Sequence, residues 1–137
     1  LVRGISFTCT VQYYNELYEG AVSVAKNGDT DIEITSPEGL AGLKLHFKGD
    51  AVTAEYSGLN YNASLSEMPE GMAFTCLYEI LRDTKGGEVS LENDKYFTES
   101  KSGSRRYRLY LGATGLPISA EDPSSGFSAE FKKASVN

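Results

Sequence analysis

Tryptophan is absent from the 137 residues, histidine occurs once, cysteine and methionine twice each, and proline four times. Each shortage closes off a class of function. With His46 as the sole imidazole, there is no histidine cluster for a metal, and any Ser or Cys nucleophile would have to find its base there. Two cysteines 67 positions apart, Cys9 and Cys76, are neither a disulfide framework nor a zinc site, which takes about four N or S ligands. Basic residues are also in deficit: thirteen Lys and Arg against nineteen Asp and Glu leave a net charge of -6. Such a surface repels a nucleic-acid duplex or a polyanionic membrane face. Apolar runs are only a few residues long, against the roughly 20 that span a bilayer as a helix, and no basic-then-apolar leader opens the sequence. What remains is a globular composition, 40% apolar and 23% charged with 14 Gly. A chain of this length buries roughly two thirds of its unfolded surface.

Alternation with a period of two runs through the first half. Ile5, Phe7, Cys9, Val11 and Tyr13 fall on one side of an extended chain, and Ser6, Thr8, Thr10, Gln12 and Tyr14 on the other, so one face is core and one is wet. Gly20, Val22 and Val24 repeat the pattern up to Asn27-Gly28-Asp29, whose residues accept the positive φ of a tight hairpin. Ile32 and Ile34 point inward on the next strand, which Ser36-Pro37-Glu38-Gly39 stops because proline has no amide hydrogen. Leu43, Leu45 and Phe47 alternate with Lys44, His46 and Lys48, and after Gly49-Asp50 the residues Val52, Ala54 and Tyr56 carry the meander to Ser57-Gly58. This predicts five short strands.

From 68 to 84 the period lengthens. Met72, Cys76 and Ile80 recur every four residues, and Phe74, Leu77, Tyr78 and Leu81 widen the stripe, which predicts the only long helix. Pro69 and Glu70 suit its start, and Arg82, Lys85 and Gly86-Gly87 its end. Strand patterns resume over 88–91, 96–99, 105–111, 117–120 and 127–133, with a polar turn over 99–104. The connections are too short for parallel crossovers. The expected fold is therefore α+β in one domain over 1–137: a strongly curved antiparallel sheet, an incomplete barrel, wrapped around one amphipathic helix.

Catalytic and metal chemistry find little support. His46 sits on the outward side of its strand between Lys44 and Lys48 and reads as a solvated surface residue. Asp29, Asp31, Glu33 and the pair Glu121-Asp122 read as turn or outward positions rather than a glycosidase pair. The spacing Asn27, Asp29, Asp31, Glu33 lacks the mid-loop glycine of a calcium loop. No catalytic residue, metal or cofactor is expected, and the protein is expected not to be an enzyme. Cys9 and Cys76 both point toward one core, either as two buried thiols or as a disulfide tying helix to sheet. Arg105, Arg106 and Arg108, with Lys101, are the one basic concentration. Arg106, Arg108 and Tyr110 share an outward face, either as a strand face paired with acids or as a docking patch for an acidic partner or phosphate headgroup. Asn62-Ala63-Ser64 fits the glycosylation pattern, which chance produces often.

The order of these features resembles the outer-membrane lipoprotein carrier superfamily, the LolA, LolB and RseB-like group, whose shared fold is an incomplete antiparallel barrel with helices in its open mouth. The resemblance rests on Ser36-Pro37-Glu38-Gly39-Leu40-Ala41-Gly42 after an early strand, on the meander from Val52 to Tyr56 with Gly58-Leu59, and on the helix. Tyr107-Arg108-Leu109-Tyr110-Leu111 followed by Thr114-Gly115-Leu116-Pro117-Ile118 is similar to the family's late hairpin, with Phe127 to Phe131 as closing strand. The family opens on an amphipathic helix and carries more than one helix in its lid, whereas this chain opens on a strand. The resemblance implies a cavity between sheet and lid that accepts acyl chains, and an extracytoplasmic setting, periplasmic or at the cell surface. It further implies a lipid, an acylated peptide or an envelope protein as partner, and leaves room for a membrane tether ahead of Leu1. The expected apolar site comprises Phe7, Ile34, Leu45, Phe47, Tyr56, Met72, Cys76 and Leu109. Each buried methylene there would contribute about 0.8 kcal/mol. The competing expectation is a protein-interaction or envelope-sensing module with a solid core and no ligand.

Overall fold

The alternation read from the sequence builds a single antiparallel sheet of eleven strands. A computed structural model describes residues 4–65, 73–83, 89–102, 105–112, 115–122 and 126–136. Strands β1 (Ile5–Tyr13), β2 (Glu16–Val24), β3 (Thr30–Ser36), β4 (Lys44–Lys48), β5 (Ala51–Tyr56) and β6 (Leu59–Ser64) follow one another as hairpins. Helix α1 (Ala73–Asp83) leads to β7 (Ser90–Glu92), β8 (Lys95–Ser102), β9 (Arg105–Leu111), β10 (Pro117–Asp122) and β11 (Phe127–Val136). Strand β11 pairs with β1, giving the order β6-β5-β4-β3-β2-β1-β11-β10-β9-β8-β7. The sheet is curved and open, with β6 and β7 as its two edges.

Turn chemistry sets the register. Asp29 N–H donates to Asn27 Oδ1 (3.0 Å), Gly28 takes φ 98°, and Ala25 N–H donates to Asp29 C=O (2.8 Å), closing the hairpin that Asn27-Gly28-Asp29 predicts. The sequence reading ended this meander at Ser57-Gly58, but the structure adds β6. Ser57 and Gly58 both have positive φ (52° and 80°), the geometry of a two-residue hairpin turn, and they return the chain as a sixth strand. Leu59, Tyr61 and Ala63 alternate there with Asn60, Asn62 and Ser64, and that asparagine-rich pattern hides the strand. Similarly, β8 runs on to Ser102, where a polar turn over 99–104 was expected. Its polar residues sit opposite β9, with Ser100 across from Tyr107 and Ser102 across from Arg105.

The inward residues of β1 to β5 and of β9 to β11 join α1 in one buried cluster. Phe74, Leu77, Tyr78, Ile80 and Leu81 are buried on the helix, which packs against β1, β8 and β9. Two contacts anchor it. The Tyr78 ring stacks on Phe47 at 4.4 Å between centroids. Phe74 sits over Gly20, where an added Cβ would stand 3.2 Å from its ring and 3.0 Å from the Glu33 carbonyl, so the missing side chain makes room for the helix. Met68, Pro69, Glu70, Met72, Lys85 and Gly86-Gly87 lie outside the described residues. No described helix is long and apolar enough to cross a membrane.

Candidate functional site

Two spaces flank the inward and outward faces of the sheet, and the expected apolar site relates to the first. Phe7, Ile34, Leu45, Phe47 and Leu109 are at most 3% exposed and belong to the cluster that holds α1. Their side chains fill the interior rather than line open space. Tyr56 departs from the expectation: it has inward parity but is 42% exposed, because it stands at the end of β5 beside the edge strand, where described residues do not cover it. Met72 and the Cys76 side chain lie outside the described residues. Cys9 is a free, buried thiol, which is the unbonded one of its two readings. Burial pushes its pKa up to about 12, with a hydrogen bond to the Gly20 backbone opposing.

The space on the inward side is a crevice of about 250 Å³, where the last turn of α1 meets the β2–β3 hairpin and the β4–β5 turn. Val24, Leu81 and Tyr78 supply apolar wall, Gly28 and Gly49 supply bare backbone, and Arg82 stands at the rim. The Tyr78 hydroxyl donates to the Gly49 carbonyl (2.8 Å) and Arg82 Nη1 donates to Asp50 Oδ1 (3.2 Å). The Arg82 guanidinium also lies 5.6 Å from the Tyr78 ring centre, a cation–π contact. Burial raises the Tyr78 pKa, and Arg82 opposes the shift. In the sequence, Arg82 marks only a helix end. Its spacing of four from Tyr78 was legible there, but its meeting with Gly49-Asp50 was not.

On the outward face lies a trough of about 540 Å³ across β11 and β1 to β5. Register builds it from two cross-strand rows. One runs Ser135, Ser6, Ser23, Asp31, His46, Thr53, and the other Thr8, Ala21, Glu33, Lys44, Glu55. The small residues of β1 and β2 form the floor, and the longer charged ones of β3 to β5 form a wall. Ser6 Oγ donates to Ser23 Oγ (3.4 Å), and His46 Nδ1 is bonded to Asp31 Oδ1. A bulge in β11 between the pairs Ser6/Ser135 and Thr8/Lys132 places Lys133, with φ 56°, at the opposite rim. His46 thus faces outward as its parity predicts, held by a carboxylate. Among the described residues no three His, Cys, Asp or Glu side chains converge to hold a metal ion.

The basic stretch is engaged by its neighbours. Arg108 Nε donates to Glu99 Oε1 (2.7 Å), its Nη1 lies 3.7 Å from Glu92, and its guanidinium covers the Phe97 ring at 4.3 Å. Hydrogen bonds to Tyr110 and Glu99 raise the Arg108 pKa, while the Tyr110 hydroxyl donates to Glu121 Oε1 (2.9 Å). Arg108 and Tyr110 therefore sit in an acid-paired strand face, and the Arg106 side chain lies outside the described residues. One carboxylate corrects the sequence reading: Asp122 is fully buried, not outward. Glu121 faces out opposite Arg108, so the next residue must face in, and strict parity carried from Leu109 and Ala120 would have found it.

No family model matches the sequence, and no curated protein matches it. Solved structures do match. A LolA superfamily protein, NE2245 from Nitrosomonas europaea, is 14% identical, with 98% of this chain and 86% of that chain covered and a TM-score of 0.52. One chain of the complex between the CwlD amidase of Clostridioides difficile and the GerS lipoprotein is 15% identical, with 96% and 85% covered and a TM-score of 0.57. A domain from Vibrio parahaemolyticus, described as outer membrane lipoprotein-sorting, is 10% identical, with 100% and 86% covered and a TM-score of 0.55. At such identities the likeness is one of fold, and this chain has a LolA-like fold.

Proposed function

We propose that this protein is a non-enzymatic binder of the acyl chain of a lipid or lipid-modified peptide, which it takes up between α1 and the inward face of the sheet in the bacterial cell envelope. The observation that carries this reading is the crevice beside Leu81 and Arg82, the place where helix and sheet part. Its 250 Å³ falls just short of the roughly 300–1,000 Å³ of small-molecule pockets, so a full chain enters only as α1 tilts away. The contacts resisting that tilt are the hydrogen bond from Tyr78 to Gly49, the exposed ion pair from Arg82 to Asp50, the stack on Phe47 and the burial of Phe74, Leu77, Ile80 and Leu81. Ten buried methylenes contribute about 8 kcal/mol, which has to offset about 1–2 kcal/mol for the two polar contacts and about 1.5–3 kcal/mol for each apolar side chain of α1 that the tilt uncovers. With α1 displaced, the sheet wraps a ligand and helix together. Phe7, Ile34, Leu45, Phe47 and Leu109 then line the enlarged pocket, Tyr56 extends it toward the edge, and Arg82 at its rim meets an anionic headgroup. The LolA-like fold, shared with a lipoprotein-sorting domain, supports an extracytoplasmic setting.

Titration with a fluorescent fatty-acid analogue tests the reading. Binding should saturate, Leu81→Trp should fill the crevice and weaken it at least about tenfold, and Tyr78→Phe should speed uptake by releasing Gly49. Absence of binding at high micromolar concentration, or a Leu81→Trp variant that binds as well as wild type, would overturn it.

A second reading, that of an interaction module, draws on the outward trough, which is larger than the crevice and open to solvent. In that case the solid core takes up no fatty-acid analogue, and Lys44→Glu combined with Lys133→Glu abolishes recognition of an envelope protein.

A further inference from the structure

Strand β6 ends the sheet, and Leu59, Asn60, Tyr61 and Asn62 are all exposed. The open side of an edge strand carries a row of backbone N–H and C=O groups spaced for another strand. Proteins keep such edges from pairing by making them short, charged, bulged or proline-bearing. The opposite edge follows this pattern: β7 is three residues long and its Glu92 lies 3.7 Å from Arg108. Among the described residues, strand β6 has none of these protections. It is six residues of Leu59-Asn60-Tyr61-Asn62-Ala63-Ser64, without charge, proline or glycine, in unbroken register with β5. Its inward row is apolar and open, with Leu59 59% and Tyr61 62% exposed.

We propose that two copies of this chain associate through β6, paired antiparallel about a twofold axis at Tyr61. Parity narrows the choice of register. A twofold perpendicular to the sheet keeps both inward faces on one side, so inward residues must meet inward residues. Centring on Tyr61 sets it against its own copy, Leu59 opposite Ala63, and Asn60 opposite Asn62. The centre is then an aromatic pair, and the outward side carries two amide pairs able to hydrogen-bond. Centring on Asn62 would set Leu59 opposite Leu65, past the end of β6, and put an amide pair on the axis in place of the aromatic one.

No like-charge pair opposes the joining, because β6 carries no charge. Among the described residues, β5 carries one charge, Glu55, opposite Asn60. Two copies of it stand three strand spacings apart, at least about 14 Å, beyond the screening length of about 8 Å at physiological salt. What opposes pairing is the net charge of -6 on each chain, so added salt strengthens it. The joined edges bury a few hundred Å² per copy, below the roughly 800 Å² per partner of stable complexes, which makes the equilibrium weak and reversible.

Sedimentation analysis from about 5 to about 500 µM, a span suited to an interface of this size, should show monomer and dimer exchanging, with more dimer at high salt. Tyr61→Lys, with its fold confirmed by circular dichroism, should weaken the dimer at least about tenfold, and Tyr61→Phe should preserve it. Tyr61→Cys should give a disulfide-linked dimer on oxidation where wild type gives none, because opposed Cα atoms stand about 4.5–5.5 Å apart. A monomer at every concentration, a Tyr61→Lys variant that dimerises like wild type, no cross-link, or growth beyond the dimer through β6 against β7 would each overturn the proposal.

Discussion

Over the middle of β1 and β2 the outward side chains are Ser6, Thr8, Ala21 and Ser23, whereas on β8 and β9 that face carries Phe97, Arg108 and Tyr110. The first set leaves a trough of about 540 Å³. The second closes over itself: Phe97 is only 6% exposed although it faces away from the helix, capped by Arg108 and flanked by Tyr110 at 6.0 Å. Both wings have the same backbone pattern and share one core. Open space on a sheet is thus a matter of side-chain size at matched register, and burial alone does not mark the side that carries the helix.

The sharpest way to break this comparison is to charge the shared core. Leu45→Asp should unfold the protein, a loss above about 4 kcal/mol, since an unpaired carboxylate would enter the packed interior. A wild-type melting temperature would show that the inward face is not sealed. Truncating one ring on each face separates core from cap: Phe47→Ala should cost about 3–5 kcal/mol and Phe97→Ala about 1–3 kcal/mol in urea unfolding, because water can reach the vacated outer site. Equal costs would erase the distinction.

The buried thiol offers a pH test of the same core. Cys9 is raised from 9.0 to about 12 in the folded state. Above pH 9 the unfolded chain therefore binds fewer protons, and stability falls with rising pH. The contribution is full below pH 9 and is lost up to about pH 12, with a slope approaching about 1.4 kcal/mol per pH unit. Cys9→Ala should flatten that slope in melting curves between these limits, and an unchanged slope would place its source elsewhere. The smallest effect belongs to the trough floor. Ser23→Ala should shift stability by less than about 0.5 kcal/mol, and a larger loss would mean that its bond to Ser6 helps hold the sheet.

Legibility along the chain followed signal strength. Strands β1 to β5 and the helix were readable because Ile5 to Tyr13, Leu43 to Phe47 and Phe74 to Leu81 carry dense apolar periodicity. Strand β6 escaped because Asn60, Asn62 and Ser64 dilute its pattern, although Ser57-Gly58 is a turn signal. Asp122 escaped because its charge outweighed its parity. In the candidate site, Tyr78 and Leu81 were readable as core-facing helix residues. The trough was not, since Ser6, Ala21 and Glu33 become neighbours only through strand register.

The side of each strand that turns inward is a property of the chain alone, because successive side chains alternate whatever their surroundings. Where that rule met a dense apolar row, as at Ile5, Phe7, Cys9 and Val11, the core could be named in advance. Vacant volume is a different kind of quantity. It is a remainder, left after side chains from strands far apart in sequence have been brought together. Whether Leu81 and Val24 would close on each other or stand apart, and whether Tyr61 would be covered, was therefore settled by packing between elements rather than by pattern within any of them.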